Sequence, residues 1–141
     1  MAMTQPRFDE INVGDQPIRL EADPISRTTL ALYGGASGDH NPMHIDIDYA
    51  KAAGESDVFA HGMLVMAYLG RSVTSWVPQS AIRSFNTRFT AITRVGEKII
   101  VTGNVAEKMQ AGNEKLVRVE LTAANDKGEV KAAGEAVVAF A

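Results

Sequence analysis

The feature that most constrains this chain is a change of hydrophobic period at Pro78. Before it, Met63, Met66, Ala67, Gly70, Val73, Thr74 and Val77 recur at i, i+3, i+4 spacing, and Leu64, Val65 and Leu69 make the adjoining face apolar too. A helix apolar almost all round is a buried helix. Pro78 stops it, because proline has no amide to donate and clashes with the preceding turn. After it the period is two. Phe85, Thr87, Phe89 and Ala91 alternate with Asn86, Arg88 and Thr90, and Val117, Val119 and Leu121 alternate with Arg118 and Glu120. Strands are also expected over Ile99 to Ala106, where Gly103 marks a bulge or a close approach, and over Val130 to Phe140. Turns at Val95 to Lys98, at Gly112-Asn113 and at Asn125 to Gly128 separate them. One buried helix followed by four hairpin-connected strands gives an α+β fold, an antiparallel sheet wrapped around one long central helix.

Upstream the pattern is shorter-ranged. Phe8 to Asp15 ends in a turn at Val13-Gly14-Asp15, and Ile18 and Leu20 alternate as a short strand. Asp23-Pro24 reads as a helix start, with Ile25, Thr29 and Leu32 on one face and Gly34, Gly35 and Gly38 ending it. Asp48 to Ala53 reads as a short helix closed by Gly54. A chain of 141 residues is expected to form a single domain, 1–141. The net charge of -3, with no basic run interleaved with aromatics, argues against nucleic acid as a partner. There is no cysteine, which excludes thiol nucleophiles, disulfides and cysteine-based zinc sites and fits a reducing compartment. Met1 to Asp9 carries no apolar run, so no signal peptide is expected, and no apolar run reaches membrane-spanning length. The expected location is cytoplasmic.

Chemistry concentrates in Tyr33 to Asp48, where two histidines and three carboxylates follow a glycine-rich break. Ordinary packing gives little reason for that density, since burying polar groups without partners is costly. Gly38 and Pro42 turn the backbone within the run.

Tyr-x-x-x-x-Gly-Asp-x-Asn-Pro-x-His-x-Asp-x-x-x-Ala, from Tyr33 to Ala50, closely resembles the signature of the MaoC-like, (R)-specific enoyl-CoA hydratase family, and Ala60-His61-Gly62-Met63 resembles its second element. The resemblance implies a hotdog fold. It also implies reversible hydration of a trans-2-enoyl thioester to an (R)-3-hydroxyacyl thioester, with CoA or acyl carrier protein as the handle and no cofactor. By the same resemblance, Asp39 and His44 activate a water and move the proton for a syn addition, and the N–H of Gly62 stabilises the thioester oxyanion. A glycine at a helix N-terminus suits that task, because its amide has no intrahelical partner and nothing shields it.

Asn41, Ala60, His61 and Met63 are the candidate substrate- or water-binding residues. Asn41 orders the loop or its water, and Pro42 fixes the turn. Ala60 stands where some family members carry a serine hydroxyl. His61 is expected to bond to backbone at the helix start, and Met63 and Met66 to line the core or an acyl tunnel closed with Tyr68. His40, Asp46 and Asp48 are expected to be bystanders, the last two organising the loop and capping the short helix. A metal set of Asp39, His40, His44, Asp46 and Asp48 matches no familiar ligand spacing, so no metal is expected. Arg83, Arg88, Arg94 and Lys98 are read as solvated strand charges rather than phosphate ligands. The resemblance further implies a homodimer or higher homo-oligomer, with sheets joined edge to edge. Two alternatives keep the fold: a hotdog thioesterase, which directs water at the carbonyl, and a non-catalytic acyl-thioester-binding or partner subunit.

Overall fold

The computed structural model describes residues 5–141, so the first four residues of the Met1–Asp9 segment lie outside the described residues. In chain order the elements are β1 (Ile18–Glu21), α1 (Arg27–Ser37), α2 (Ile47–Ala52), α3 (Gly62–Thr74), β2 (Ile82–Phe89), β3 (Ile99–Ala111), β4 (Glu114–Asn125) and β5 (Val130–Phe140). The strands form one antiparallel sheet in the order β1-β3-β4-β5-β2. β3, β4 and β5 are joined by hairpins, as the turn residues predict, and β3 runs on to Ala111 rather than stopping near Ala106. β2 departs from expectation. It does not form a hairpin with β3 but pairs with β5 at the far edge, from Ile82↔Val138 to Phe89↔Ala132. Alternation identifies a strand without naming its partner, and β3 gives its two sides to β4 and β1 instead. Gly103 is a close approach. A Cβ there would lie 2.9 Å from both Ile18 and Leu121, which cross over it from β1 and β4.

Helix α3 packs against all five strands. Val65, Leu69 and Val73, followed by Val77, recur every four residues and meet Ile99, Val101, Val117, Val119, Leu121, Ala136 and Val138 in one buried cluster. Burying each such side chain stabilises the fold by roughly 1.5–3 kcal/mol. Leu64 turns the other way, into a second cluster with Ile25, Leu30, Ala50, Val58 and Ala60. A third face is uncovered, which corrects the expectation of a helix buried all round: Met63 is 52% exposed, and Ala67 and Arg71 are exposed. The sheet and the α1–α2 cap cover two faces, and nothing among the described residues covers the third. Where β2 approaches α3, the Phe89 ring lies 3.4 Å and the Phe85 ring 3.6 Å from where Cβ atoms on Gly62 and Gly70 would stand.

α1 begins later than Asp23-Pro24 suggests. Ser26 is its N-cap and accepts a hydrogen bond from the amide of Thr29. Ile25 cannot join the helix, because its amide donates to Glu97 O at 2.9 Å and its carbonyl accepts from Gly96 N at 2.7 Å. The later start rotates the face: Leu30 and Gly34 are buried and Leu32 is exposed. Among the described residues, no helix is long and apolar enough to cross a membrane.

Candidate active site

Asp39, His44 and His61 come from three segments and meet, with one ligating atom from each lying within 4.8 Å of the others. Gly38, at φ +75°, ends α1 in the left-handed conformation that favours glycine and turns the chain into the Asp39 loop. The Asn41 side chain accepts from Met43 N at 3.1 Å and caps a 3-10 turn, Pro42–His44, whose last residue is His44. The Asp39 carboxylate accepts from Asn41 N at 3.2 Å, which closes the turn between them. His61 is the residue immediately before α3. Gly34 lets these groups converge, since a Cβ there would lie 3.3 Å from Asp39 O and 3.7 Å from His61 Nε2.

The hydrogen bonds fix the histidine tautomers. His44 is buried, and its Nδ1 lies 2.8 Å from Phe59 O. A carbonyl can only accept, so Nδ1 carries the hydrogen, and Nε2 of the neutral ring is left as a bare acceptor. His61 is 1% exposed and donates from Nε2 to the backbone O of Asp39 at 3.2 Å. The expected backbone bond is real, but it reaches Asp39 rather than the helix start, and His61 makes no capping bond. Burial holds the His61 pKa below its ordinary value, and the neighbouring His44 adds to that. The two imidazoles stack with centroids 4.0 Å apart and planes at 31°. Burial and the charge of Asp39 push the Tyr33 phenol up, so it remains protonated near neutrality.

A cleft of about 320 Å³ opens beside this cluster, lined by His44, Ala60 and Gly62 with Phe59, Val65, Phe89 and Ile92 among the apolar walls. Of the candidate residues, His44, Gly62 and Ala60 thus face one space. Asp39, Asn41, His61 and Met63 do not line it; Asp39 and His61 reach it only through their closeness to His44, and Met63 is half exposed on the uncovered face of α3. Phe89, at the end of β2, and Ile92, just beyond it, line the cleft, and Met63 does not. Lys131 also reaches the cleft, 2% exposed. Its ammonium donates to Ile92 O at 2.9 Å and pairs with Glu97 and Glu129, which uses all three donors. Burial works against its charge, but the two carboxylates outweigh burial and raise its pKa. Lys131 is a strut of the cleft floor. No local pattern marked Phe89, Ile92 or Lys131, because only long-range strand pairing brings them here.

The remaining polar residues fall as expected. His40 is exposed, Asp46 caps α2 through bonds from Asp48 N and Tyr49 N, and Asp48 lies in that first turn. Arg83, Arg94 and Lys98 form ion pairs with Glu114, Glu55 and Glu21, and Arg88 is exposed on β2. The only set of three or more potential metal ligands among the described residues is Asp39, His44 and His61. A tetrahedral ion bound at about 2.0–2.1 Å needs ligands roughly 3.4 Å apart, so this set would have to contract. Two of its ring nitrogens are also committed to carbonyls.

A family model described as "MaoC like domain" matches residues 10–127. The chain is 30% identical over 133 residues to an (R)-specific enoyl-CoA hydratase of Rhodospirillum rubrum, covering 93% of this chain and 89% of that one. Its fold superposes on unliganded R-hydratase PhaJ1 from Pseudomonas aeruginosa with a TM-score of 0.81 and 28% identity, over 95% of this chain and 85% of that one. A chain of the ChsH1-ChsH2 complex from Mycobacterium tuberculosis shares the fold at a TM-score of 0.78 and 22% identity, over 92% of this chain and 98% of that one. The five-stranded sheet around α3 is thus the hotdog form of the α+β class, and the chain belongs to the MaoC-like domain family.

Proposed function

We propose that this protein hydrates trans-2-enoyl thioesters to (R)-3-hydroxyacyl thioesters, and catalyses the reverse dehydration, in the cleft between His44 and Gly62. One observation carries the reading: the bare Nε2 of a tautomerically fixed His44 shares an apolar cleft with the first amide of α3, and a carboxylate stands beside it. His44 and Asp39 hold a water. As its oxygen bonds to the β-carbon, its proton passes to this pair. The C=C electrons move toward the thioester oxygen, where the Gly62 N–H and the helix dipole stabilise the developing charge. The pair then returns a proton to the α-carbon on the same face. One such oxyanion donor is typically worth about 3 kcal/mol in the transition state. Ala60 contributes no hydroxyl, so Asp39 and His44 alone orient the water.

The remaining expectations belong to the same proposal. The whole chain acts as a single domain in the cytoplasm, and its substrate is an acyl-CoA or acyl carrier protein thioester. A second copy pairs along the edge strand β2 and covers the open face of α3. An unpaired edge invites such pairing, and Met63, Phe89 and Ile92 leave apolar surface on that side. Crotonyl-CoA separates the readings. Loss of the enoyl absorbance without free thiol is the expected result, thiol release would mark a thioesterase, and neither change across a panel of chain lengths would mark a binding subunit.

A further inference from the structure

His61 is the most buried polar side chain at the site. Among the described residues its Nδ1 has no hydrogen-bond partner, which a ring without nitrogen would avoid. It does not line the cleft, so contact with substrate does not explain it. What the ring does supply is a connection to each reacting group. Its Nε2–H holds the backbone carbonyl of Asp39 at 3.2 Å. The other bonds of Asp39 stay within its own exposed loop, to Ser37 and Asn41. Its face stacks on His44 at 4.0 Å, and Tyr33 packs edge-on against it at 4.9 Å. It also immediately precedes Gly62 in the chain. One ring therefore refers the carboxylate loop, the imidazole base and the oxyanion amide to a single rigid point.

We propose that His61 is a positioning residue that holds Asp39 and His44 in fixed relation to the Gly62 amide. This rests on the hydratase reading for its kinetic consequence, but not for its structural one. His61 acts through its single Nε2–H donor and its flat face, and it exchanges no proton with substrate. Misplacing reacting groups by an ångström can lower a rate by about 100-fold.

The test compares His61→Phe, which keeps the face and loses the donor, with His61→Gln, which keeps a donor at similar reach. His61→Phe is expected to lose about 10- to 100-fold in kcat with KM nearly unchanged, and His61→Gln to recover most of that loss. A kcat within about twofold of wild type in His61→Phe, or a loss confined to KM, overturns the proposal. The tautomer gives a test in the wild-type protein that does not depend on whether His61→Phe folds. Nitrogen NMR of the histidines near pH 7 is expected to show His61 neutral with its proton on Nε2, and a proton on Nδ1 alone or a cation overturns the clamp. Should the wild type leave every enoyl thioester unchanged, the hydratase reading falls while the clamp is still read by amide exchange over residues 38–43. Faster exchange in His61→Phe, restored in His61→Gln, supports it, and unchanged exchange overturns it.

Discussion

The sheet-facing side of α3 and the Asp39–His44 loop lie close together and are held by opposite means. Val65, Leu69 and Val73 sit in a contiguous apolar cluster, where no single contact matters much and their sum is large. The loop is mostly exposed and polar, and it is held by a few directed bonds through Asn41, Phe59 O and His61. The difference separates two properties that a single substitution can otherwise confuse. Packing determines whether the chain stays folded, and the loop determines whether the folded chain reacts.

Substitutions that move one property and leave the other still are the sharpest way to break that separation. Asp39→Asn and His44→Gln should each lower turnover by about 100- to 10,000-fold, with melting temperatures close to wild type in a thermal scan. Near wild-type rates in both would remove the site assignment. Leu69→Ala should do the reverse, costing about 2–5 kcal/mol in urea unfolding while the protein that remains folded keeps its rate. Gly62→Val should fall between them. Its side chain meets the Phe89 ring and covers the amide, so kcat drops by about 10- to 100-fold with a modest loss of stability.

A smaller effect comes from pH. The His61 pKa lies below its ordinary 6.5 in the folded state because of burial. Below pH 6.5 the unfolded chain therefore binds more protons than the folded one, and stability rises with pH through that window. Denaturant titrations between pH 5 and 7.5 should show this slope diminished in His61→Phe relative to wild type. The smallest effect is His40→Ala, whose exposed ring should leave rate and stability within about twofold and 0.5 kcal/mol. A large loss there would mean that the wrong histidine of the run has been chosen.

The same contrast explains what could be read from the sequence. Most strands and their turns follow from local periodicity, while Asp39, His44 and Gly62 are singled out by the family resemblance that their motifs carry. Partnerships across the chain do not. The start expected for α1 at Asp23-Pro24 was locally competent, and the distant turn at Glu97 overrode it by recruiting Ile25. Nothing near β2 said that it would lie beside β5, so Phe89 and Ile92 could not be placed in the cleft. Met63 followed helical spacing correctly yet points outward, because periodicity marks an apolar face without saying what covers it. His61 was visible as a residue but not as a clamp, since its partner is 22 positions away.

The position of Phe89 bears on how such a catalyst can diversify. This ring closes one side of the cleft from the end of an edge strand, beyond the tightly packed interior. On the proposed reading, a change of side chain there would alter the room offered to an acyl group right beside Gly62, so a laboratory selection on acyl chain length could act at a single codon.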